Sequence, residues 1–332
     1  MKVFLVAGEL SGDALGGALM EGLKRLVPDV TWRGVGGPQM MAHGLPSLFP
    51  MQELSVMGLA EILPKYAALK RRLNETIDAV LAFSPDVLIT IDSPDFSLRV
   101  AKAVKSRSQI RTVHYVAPTV WAWRPKRAAK MAKYVDHVLA LFPFEPPFLE
   151  AEGIACDFVG HPLALQTQPS QDHVEKLRRS MAGAPNVLVL PGSRRGEVTR
   201  HMPVFGAAAT LYLQTHPKAQ FTIVAAPPVR SVGEDMAGER IAPGSLVSGA
   251  EGIEKRAAFA AVDIALAASG TVSLELAAAN TPMVVGYDMS PISRFLISRM
   301  LITDTVTLVN LVSDTRAVPE FIGKAFQAKD LA

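Results

Sequence analysis

One cysteine, Cys156, is all the thiol chemistry this 332-residue sequence holds. No intrachain disulfide can form, which fits a reducing compartment, and a lone cysteine is more often a small buried hydrophobe than a reactive group. No apolar run approaches the roughly 18 residues of a membrane span. The run Val3 to Ala7 is too short for a signal segment and is soon followed by Glu9 and Asp13, so any membrane contact is expected to be peripheral. The seven histidines include no His-x-x-x-His pair, and no Asp-x-Asp pair is present to hold a metal on a diphosphate. Neither a metal nor a cofactor is therefore expected. Gly-x-Gly-x-x-Gly and Gly-Lys-Ser/Thr are missing too, which argues against dinucleotide and Walker-type sites. Net charge is only +3, from 34 basic and 31 acidic residues, too little to make nucleic acid the main partner.

Acid is absent from one long stretch. Arg99, Lys102, Lys105, Arg107, Arg111, Arg124, Lys126, Arg127, Lys130 and Lys133 occur with no Asp or Glu among them, which predicts a local positive face. Within it, Trp121-Ala122-Trp123-Arg124-Pro125-Lys126-Arg127 interleaves aromatics with cations. Such a surface suits an anionic lipid headgroup or nucleic acid, and the plain alternative is core tryptophans beside a solvated helix. A second apolar and basic segment, Ile292 to Ile302, reads more readily as packing than as membrane contact.

What is abundant is apolar: 49% of residues are hydrophobic, and the length predicts two cores of roughly 150 residues each. Short Val, Ile and Leu runs alternate with segments of helical period, the pattern of parallel sheets covered on both faces. Strands are expected at Lys2–Ala7, Thr31–Val35, Asp86–Asp92, Arg111–Val116, His137–Phe142 and Asp157–Gly160. After a Pro- and Gln-bearing linker, a second series is expected at Asn186–Leu190, Gln220–Ala225, Leu246–Ser248, Asp263–Ala267, Met283–Gly286 and Thr307–Val309. The expected fold is α/β: two doubly wound Rossmann-like domains, 1–165 and 166–332, facing a cleft. Ligands in such sheets bind beyond the carboxyl ends of the strands.

The unusual residues cluster at those ends. Gly8-Glu9-Leu10-Ser11-Gly12-Asp13, then Gly16-Gly17, is expected to join the first strand to the first helix as a glycine turn that approaches a ligand, or as a plain turn capped by Asp13. Asp92 follows the buried run Val87 to Ile91. An ionised carboxylate delivered there can accept a proton from an attacking hydroxyl; the alternative is a helix cap. Pro191-Gly192-Ser193-Arg194-Arg195-Gly196-Glu197 combines small residues, guanidinium groups and a helix start, which suits a diphosphate leaving group. Ser269-Gly270-Thr271 offers a second anion-binding turn. Glu275, one helical turn on, is placed to hold a ribose diol.

These segments, together with Gly34-Val35-Gly36-Gly37-Pro38, Ile91-Asp92-Ser93-Pro94-Asp95-Phe96, Val116-Ala117-Pro118-Thr119-Val120-Trp121-Ala122-Trp123-Arg124, Phe142-Pro143-Phe144-Glu145, Val159-Gly160-His161-Pro162 and Tyr287-Asp288-Met289-Ser290-Pro291, resemble the lipid-A-disaccharide synthase family of inverting GT-B glycosyltransferases over nearly the whole sequence. The resemblance implies UDP-2,3-diacylglucosamine as donor and 2,3-diacylglucosamine 1-phosphate (lipid X) as acceptor, with a β-1,6 lipid A disaccharide 1-phosphate and UDP as products. By position it implies a catalytic base at Asp92; Glu9 and Asp13 are further catalytic candidates, and Ser11, Gly12 and Gly16 a candidate acceptor turn. It places UDP binding at Gly192, Ser193, Arg194, Ser269, Gly270, Thr271, Glu275 and Asn310. Contact with membrane or acceptor lipid would fall to Trp121, Trp123, Arg124, Lys126 and Arg127. The N-terminal domain would take the acceptor and face the membrane, and the C-terminal domain the donor. The implied setting is cytoplasmic, peripheral on an anionic inner membrane, with a homodimer left open. The sequence departs mildly from the family at Val309, where Pro is usual, and Ala117, where Ser is common. The family's final helices, which follow Val318-Pro319-Glu320-Phe321, are expected to be missing. Two rival readings are a UDP-sugar 2-epimerase-like enzyme and a non-enzymatic peripheral membrane binder.

Overall fold

The computed structural model describes residues 1–54, 59–122, 126–181, 185–224, 229–237, 242–243, 252–290, 294–295 and 299–332. The chain divides into two compact units, Met1–Pro162 and Leu163–Ala332. The expected strand Leu246–Ser248, the aromatic-basic residues Trp123 and Arg124, and residues 292–293 and 296–298 of the apolar and basic segment Ile292 to Ile302 lie outside the described residues.

In the first unit, β1 (Lys2–Ala7), β2 (Thr31–Val35), β3 (Val87–Ile91), β4 (Arg111–Tyr115), β5 (His137–Ala140) and β6 (Ala155–Phe158) form one parallel sheet in the order β2-β1-β3-β4-β5-β6. The helices α1 (Leu10–Leu26), α2 (Pro38–Ala42), α3 (Leu59–Phe83), α4 (Pro94–Lys105), α5 (Lys126–Met131) and α6 (Pro146–Glu150) connect them. The central strand β1 is apolar without alternation, and Val3 to Ala7 are all fully buried, as a strand covered on both faces requires. The strand order reverses between β1 and β3, and the crevice beyond the strands at such a reversal is where doubly wound sheets bind ligands.

The second unit repeats this plan with a six-stranded parallel sheet. It carries α7 (Gln171–Ser180), β7 (Asn186–Leu190), α8 (Arg195–Thr215), β8 (Gln220–Ile223), α9 (Arg230–Ala237), β9 (Ala242–Pro243), α10 (Gly252–Ala261), β10 (Ile264–Ala267), α11 (Val272–Ala278), β11 (Met283–Tyr287) and β12 (Glu320–Ile322). Its parallel sheet runs β12-β11-β10-β7-β8-β9, with the order reversing between β7 and β10. Phe205 of α8, Phe221 of β8 and Phe326 pack into the core on one face, while Leu188, Phe259 and Leu276 are buried in a second cluster.

Several local expectations change. Helix α1 begins at Leu10 rather than Ala14, so Ser11, Gly12, Asp13 and Gly16 lie inside the helix and not in the turn before it. Strand β6 sits two residues earlier than expected. Thr307–Val309 is not a strand: a helix runs Leu308–Ser313, and the sixth strand is β12, paired parallel to β11. The largely β-branched run Thr305 to Val309 mimics a strand, but Asn310 donates to Thr305 Oγ1 and Glu320 accepts the amides of Val306 and Thr307, which hold that segment as a loop and helix start.

Candidate functional site

At the first reversal, the turn after β1 and the turn after β3 touch. Ser11 Oγ donates to Asp92 Oδ2 at 3.5 Å. A Cβ added to Gly8 would stand 2.7 Å from Ser93 Oγ, so only glycine lets these two turns approach. Asp92 (φ 49°) and Ser93 (φ 44°) both adopt the left-handed region, and on the neighbouring strand end so does Val116 (φ 80°), a β-branched residue for which that conformation is strained. Strain held by surrounding structure gathers at functional sites. The Asp92 amide donates to Tyr115 O at 3.0 Å and the Val116 amide to Leu139 O at 3.0 Å, which pins the strained turns to the sheet. Ser93 Oγ is buried and makes no hydrogen bond among the described residues. Glu9 is half-buried at the N-cap of α1 and caps nothing with its side chain.

Asp13 does not belong with these residues. It is 1% exposed, and its carboxylate accepts the amides of Gly37 (2.8 Å), Gln39 (2.9 Å) and Met40 (3.0 Å). Those amides open α2, so Asp13 acts as that helix's cap from 24 residues away. Gly12 and Gly16 are packing glycines: a Cβ at Gly16 would meet Met40 Sδ at 2.5 Å, and one at Gly12 would lie 3.4 Å from Ile91 O. They seat α1 against β3 and α2 instead of lining an acceptor turn.

The membrane assignment is corrected at Trp121. The ring is 7% exposed, stands edge-on to Phe144 at 5.1 Å, and donates Nε1–H to Glu145 Oε1 at 3.3 Å. Its partner Glu145 is itself buried, accepts the amides of Leu141 and Phe142, and is pushed up to about 7 by burial. Lys126 is exposed, whereas Arg127 pairs with Asp95 at 2.8 Å and Lys105 with Asp136 at 2.7 Å. Two cations of the acid-free stretch are therefore balanced by acids from outside it. Beneath β3 and β4, His114 Nδ1 lies 2.8 Å from Thr90 Oγ1, and complete burial, with the nearby Arg127 charge, pushes the imidazole down to about 3.

At the reversal of the second sheet, the turn after β7 carries Gly192 (φ 118°), Ser193 and Arg194, the last two exposed. Glu197 of α8 organises it. Its Oε2 accepts the amides of Ser193 (3.2 Å) and Arg194 (3.3 Å), and its Oε1 accepts Arg194 Nη1 (2.8 Å) and Tyr287 Oη (3.2 Å). Burial first, and then the Glu197 charge, push the Tyr287 phenol up to about 12, which keeps it a donor. One turn further along α8, the buried His201 places Nδ1 2.8 Å from Pro191 O, and its Nε2 is within 3.1 Å of the Asp288 backbone amide. The ends of β7 and β11 are thus tied through one helix.

The turn after β10 holds Ser269, half-buried, with Gly270 and Thr271 exposed. Ser273 Oγ donates back to Gly270 O at 2.8 Å, and Glu275 Oε2 forms an ion pair with Lys255. Asn310 is 1% exposed, with Nδ2 donating to Val318 O at 2.9 Å and Oδ1 accepting the Val318 amide at 3.0 Å. Its amide braces its own loop. Sequence reasoning had not singled out His201 and Lys255, and had read Glu197 only as the start of a helix. The spacing Arg194, Glu197, His201 on one helical face was the available signal.

Two open parallel α/β units, each with its chemically loaded turns at the reversal of strand order, define a GT-B-type enzyme, the class of nucleotide-sugar glycosyltransferases and epimerases. A UDP-GlcNAc 2-epimerase from Neisseria meningitidis, solved with UDP-GlcNAc, shares the fold with a TM-score of 0.67 over 100% of this chain and 89% of its own, at 14% identity. The family model for lipid-A-disaccharide synthetase matches residues 3–332, and the chain belongs to that family. A lipid-A-disaccharide synthase of Ruegeria pomeroyi is 56% identical over 100% of this chain and 85% of its own length, and one of Rhodospirillum centenum is 45% identical over 97% and 81%.

Proposed function

We propose that this chain transfers the sugar of UDP-2,3-diacylglucosamine to 2,3-diacylglucosamine 1-phosphate, forming a β-1,6-linked lipid A disaccharide 1-phosphate and releasing UDP. The acceptor's 6-hydroxyl attacks the anomeric carbon, the bond from that carbon to the diphosphate oxygen breaks with inversion, and Asp92 takes the hydroxyl proton. The diphosphate leaves with the bonding electrons. Arg194 and the amides that open α8, which have no intrahelical acceptor, stabilise the growing negative charge in place of a metal. Ser269, Gly270, Thr271 and Glu275 hold the nucleoside end. In this reading the first unit takes the acceptor and the second the donor.

The observation that carries the chemistry is Asp92 at the reversal of the first sheet, on a strained turn with Ser11 beside it. Among the described residues no helix is long and apolar enough to cross a membrane. Contact with an anionic inner-membrane surface would be peripheral, made by Lys126 and its exposed cationic neighbours, with Trp121 as internal support for that segment.

Purified protein given the two lipid sugars should yield the disaccharide 1-phosphate and UDP in equal amounts by mass spectrometry. Consumption of the UDP-sugar with an isomer as product, and no disaccharide, would turn the reading to an epimerase. Vesicle binding that is salt-sensitive and accompanied by no turnover would turn it to a membrane binder.

A further inference from the structure

The hydrogen bonds around Glu197 exceed what a helix cap needs. A capping glutamate at the third position of a helix answers the amide of the capping residue, and here that is the Oε2 bond to the Arg194 amide. The second oxygen does something else: it gathers the Arg194 guanidinium from the turn after β7 and the Tyr287 phenol from the end of β11. The sequence has made room for this. Gly192 sits at φ 118°, and a Cβ there would lie 2.7 Å from Glu197 Oε2, so the carboxylate occupies the space under the turn that only glycine leaves open.

A carboxylate next to a diphosphate site carries a cost, because it repels the ligand. Its presence requires a return, and the return is order. Arg194 is half-exposed, with 54% of its side chain accessible, and a long side chain in that position loses rotamer freedom when it grips an anion. Glu197, with only 12% of its side chain exposed, is the better anchored of the two and holds Nη1 in place before any ligand arrives. His201, buried one turn on, fixes the helix to both strand ends through Pro191 and Asp288, so the anchor itself is set against the sheet.

We propose that Glu197 is a positioning residue for the donor diphosphate. Through its two oxygens it holds the Gly192–Arg194 turn and orients the Arg194 guanidinium, with Tyr287 locking the carboxylate from the neighbouring strand. The proposal rests on the reading that UDP is bound at the turn after β7.

Glu197→Gln isolates the effect. The glutamine oxygen still accepts the amides of Ser193 and Arg194 and keeps the cap, while the anionic acceptor for Arg194 and Tyr287 is lost. UDP binding by calorimetry should weaken about tenfold, the scale of one side chain that must now be ordered on binding. The loss should appear in the KM for the donor and also in kcat, because Arg194 meets the charge that grows as the diphosphate leaves. Tyr287→Phe should weaken UDP binding less, by about twofold to threefold. The decisive measurement is the double-mutant cycle with Arg194→Ala. In the Arg194→Ala background, Glu197→Gln should cost less than about twofold, because no guanidinium is left to orient. Equal losses in both backgrounds, or UDP binding by Glu197→Gln that matches or exceeds wild type, would overturn the proposal while leaving the donor site in place. Arg194→Ala with unchanged UDP affinity would instead overturn the donor assignment itself, and the inference with it.

Discussion

The two units solve the same geometric problem at their sheet reversals with opposite means. In the first, the turn beyond β3 puts non-glycine residues into left-handed conformations, at Asp92 and Ser93, and Ser93 Oγ finds no partner among the described residues. In the second, the one left-handed residue of the turn beyond β7 is a glycine, and the carboxylate beside it, Glu197, has a donor on every side. In the proposed function the first arrangement would store strain and unspent polarity where the acceptor's proton moves. The second is satisfied by its own residues, as the proposed grip on a diphosphate would require. A similar contrast separates two acids of the first unit that are close in role on paper: Asp13 spends its oxygens on three backbone amides, while Asp92 receives one long hydrogen bond from Ser11.

The contrast can be broken at several points. The largest effect is expected from Asp13→Ala, which strands three amides at the start of α2 and should cost about 4 kcal/mol of stability, seen as a lowered chemical-denaturation midpoint. Unchanged stability would return Asp13 to the catalytic group. Asp92→Ala should leave the fold intact and UDP bound, but lower kcat at least about 100-fold, or about 2.7 kcal/mol of barrier. A variant that turns over normally, or one that loses UDP affinity instead, would reverse the roles of the two turns. Gly192→Ala should weaken UDP binding about tenfold, because the new methyl meets Glu197 and the backbone leaves its φ. Wild-type affinity in that variant would mean that the turn is not set by its carboxylate.

A pH dependence sharpens the contrast within the first unit. Glu145 is pushed by burial from its ordinary 4.5 up to about 7, so the fold favours its protonated form. Its contribution to stability is complete below about pH 4.5 and is lost as pH rises through about 7. Between pH 8 and pH 5, wild type should therefore gain about 2 kcal/mol relative to Glu145→Gln, read from paired denaturation curves. His114, held neutral by burial, loses stability in the opposite direction as pH falls below its ordinary 6.5, but it does so in both proteins and cancels in the difference. Parallel curves would show that Glu145 is not buried as a carboxylic acid beside Trp121.

The apolar runs and the small, charged clusters after them were legible as sequence. Lys2–Ala7, Thr31–Val35 and Asn186–Leu190 form strands at the expected residues, and Asp92, Gly192 and Ser269 follow strand ends. Those features are local: a residue's neighbours within one turn or one strand settle the hydrophobic period and the position of a glycine. Less legible was which distant backbone would claim a polar side chain. Asp13 read either as part of a ligand turn or as a cap, and the amides of Gly37, Gln39 and Met40 make it the cap of a different helix; Trp121 read as a surface aromatic or a core tryptophan, and Glu145 holds its indole in the core; Asn310 was placed by resemblance alone, and Val318 uses both ends of its amide.

Sequence alone thus determined that this protein is built of two parallel α/β sheets and that its glycine-bearing and charged turns stand at their carboxyl ends, since strand propensity and turn chemistry act over a few residues. Tertiary structure alone decided which of those polar groups remain available. A hydrogen bond saturates its donor and acceptor, and the partner that does so is brought from the far side of a helix or a neighbouring strand, at a separation no short-range pattern encodes.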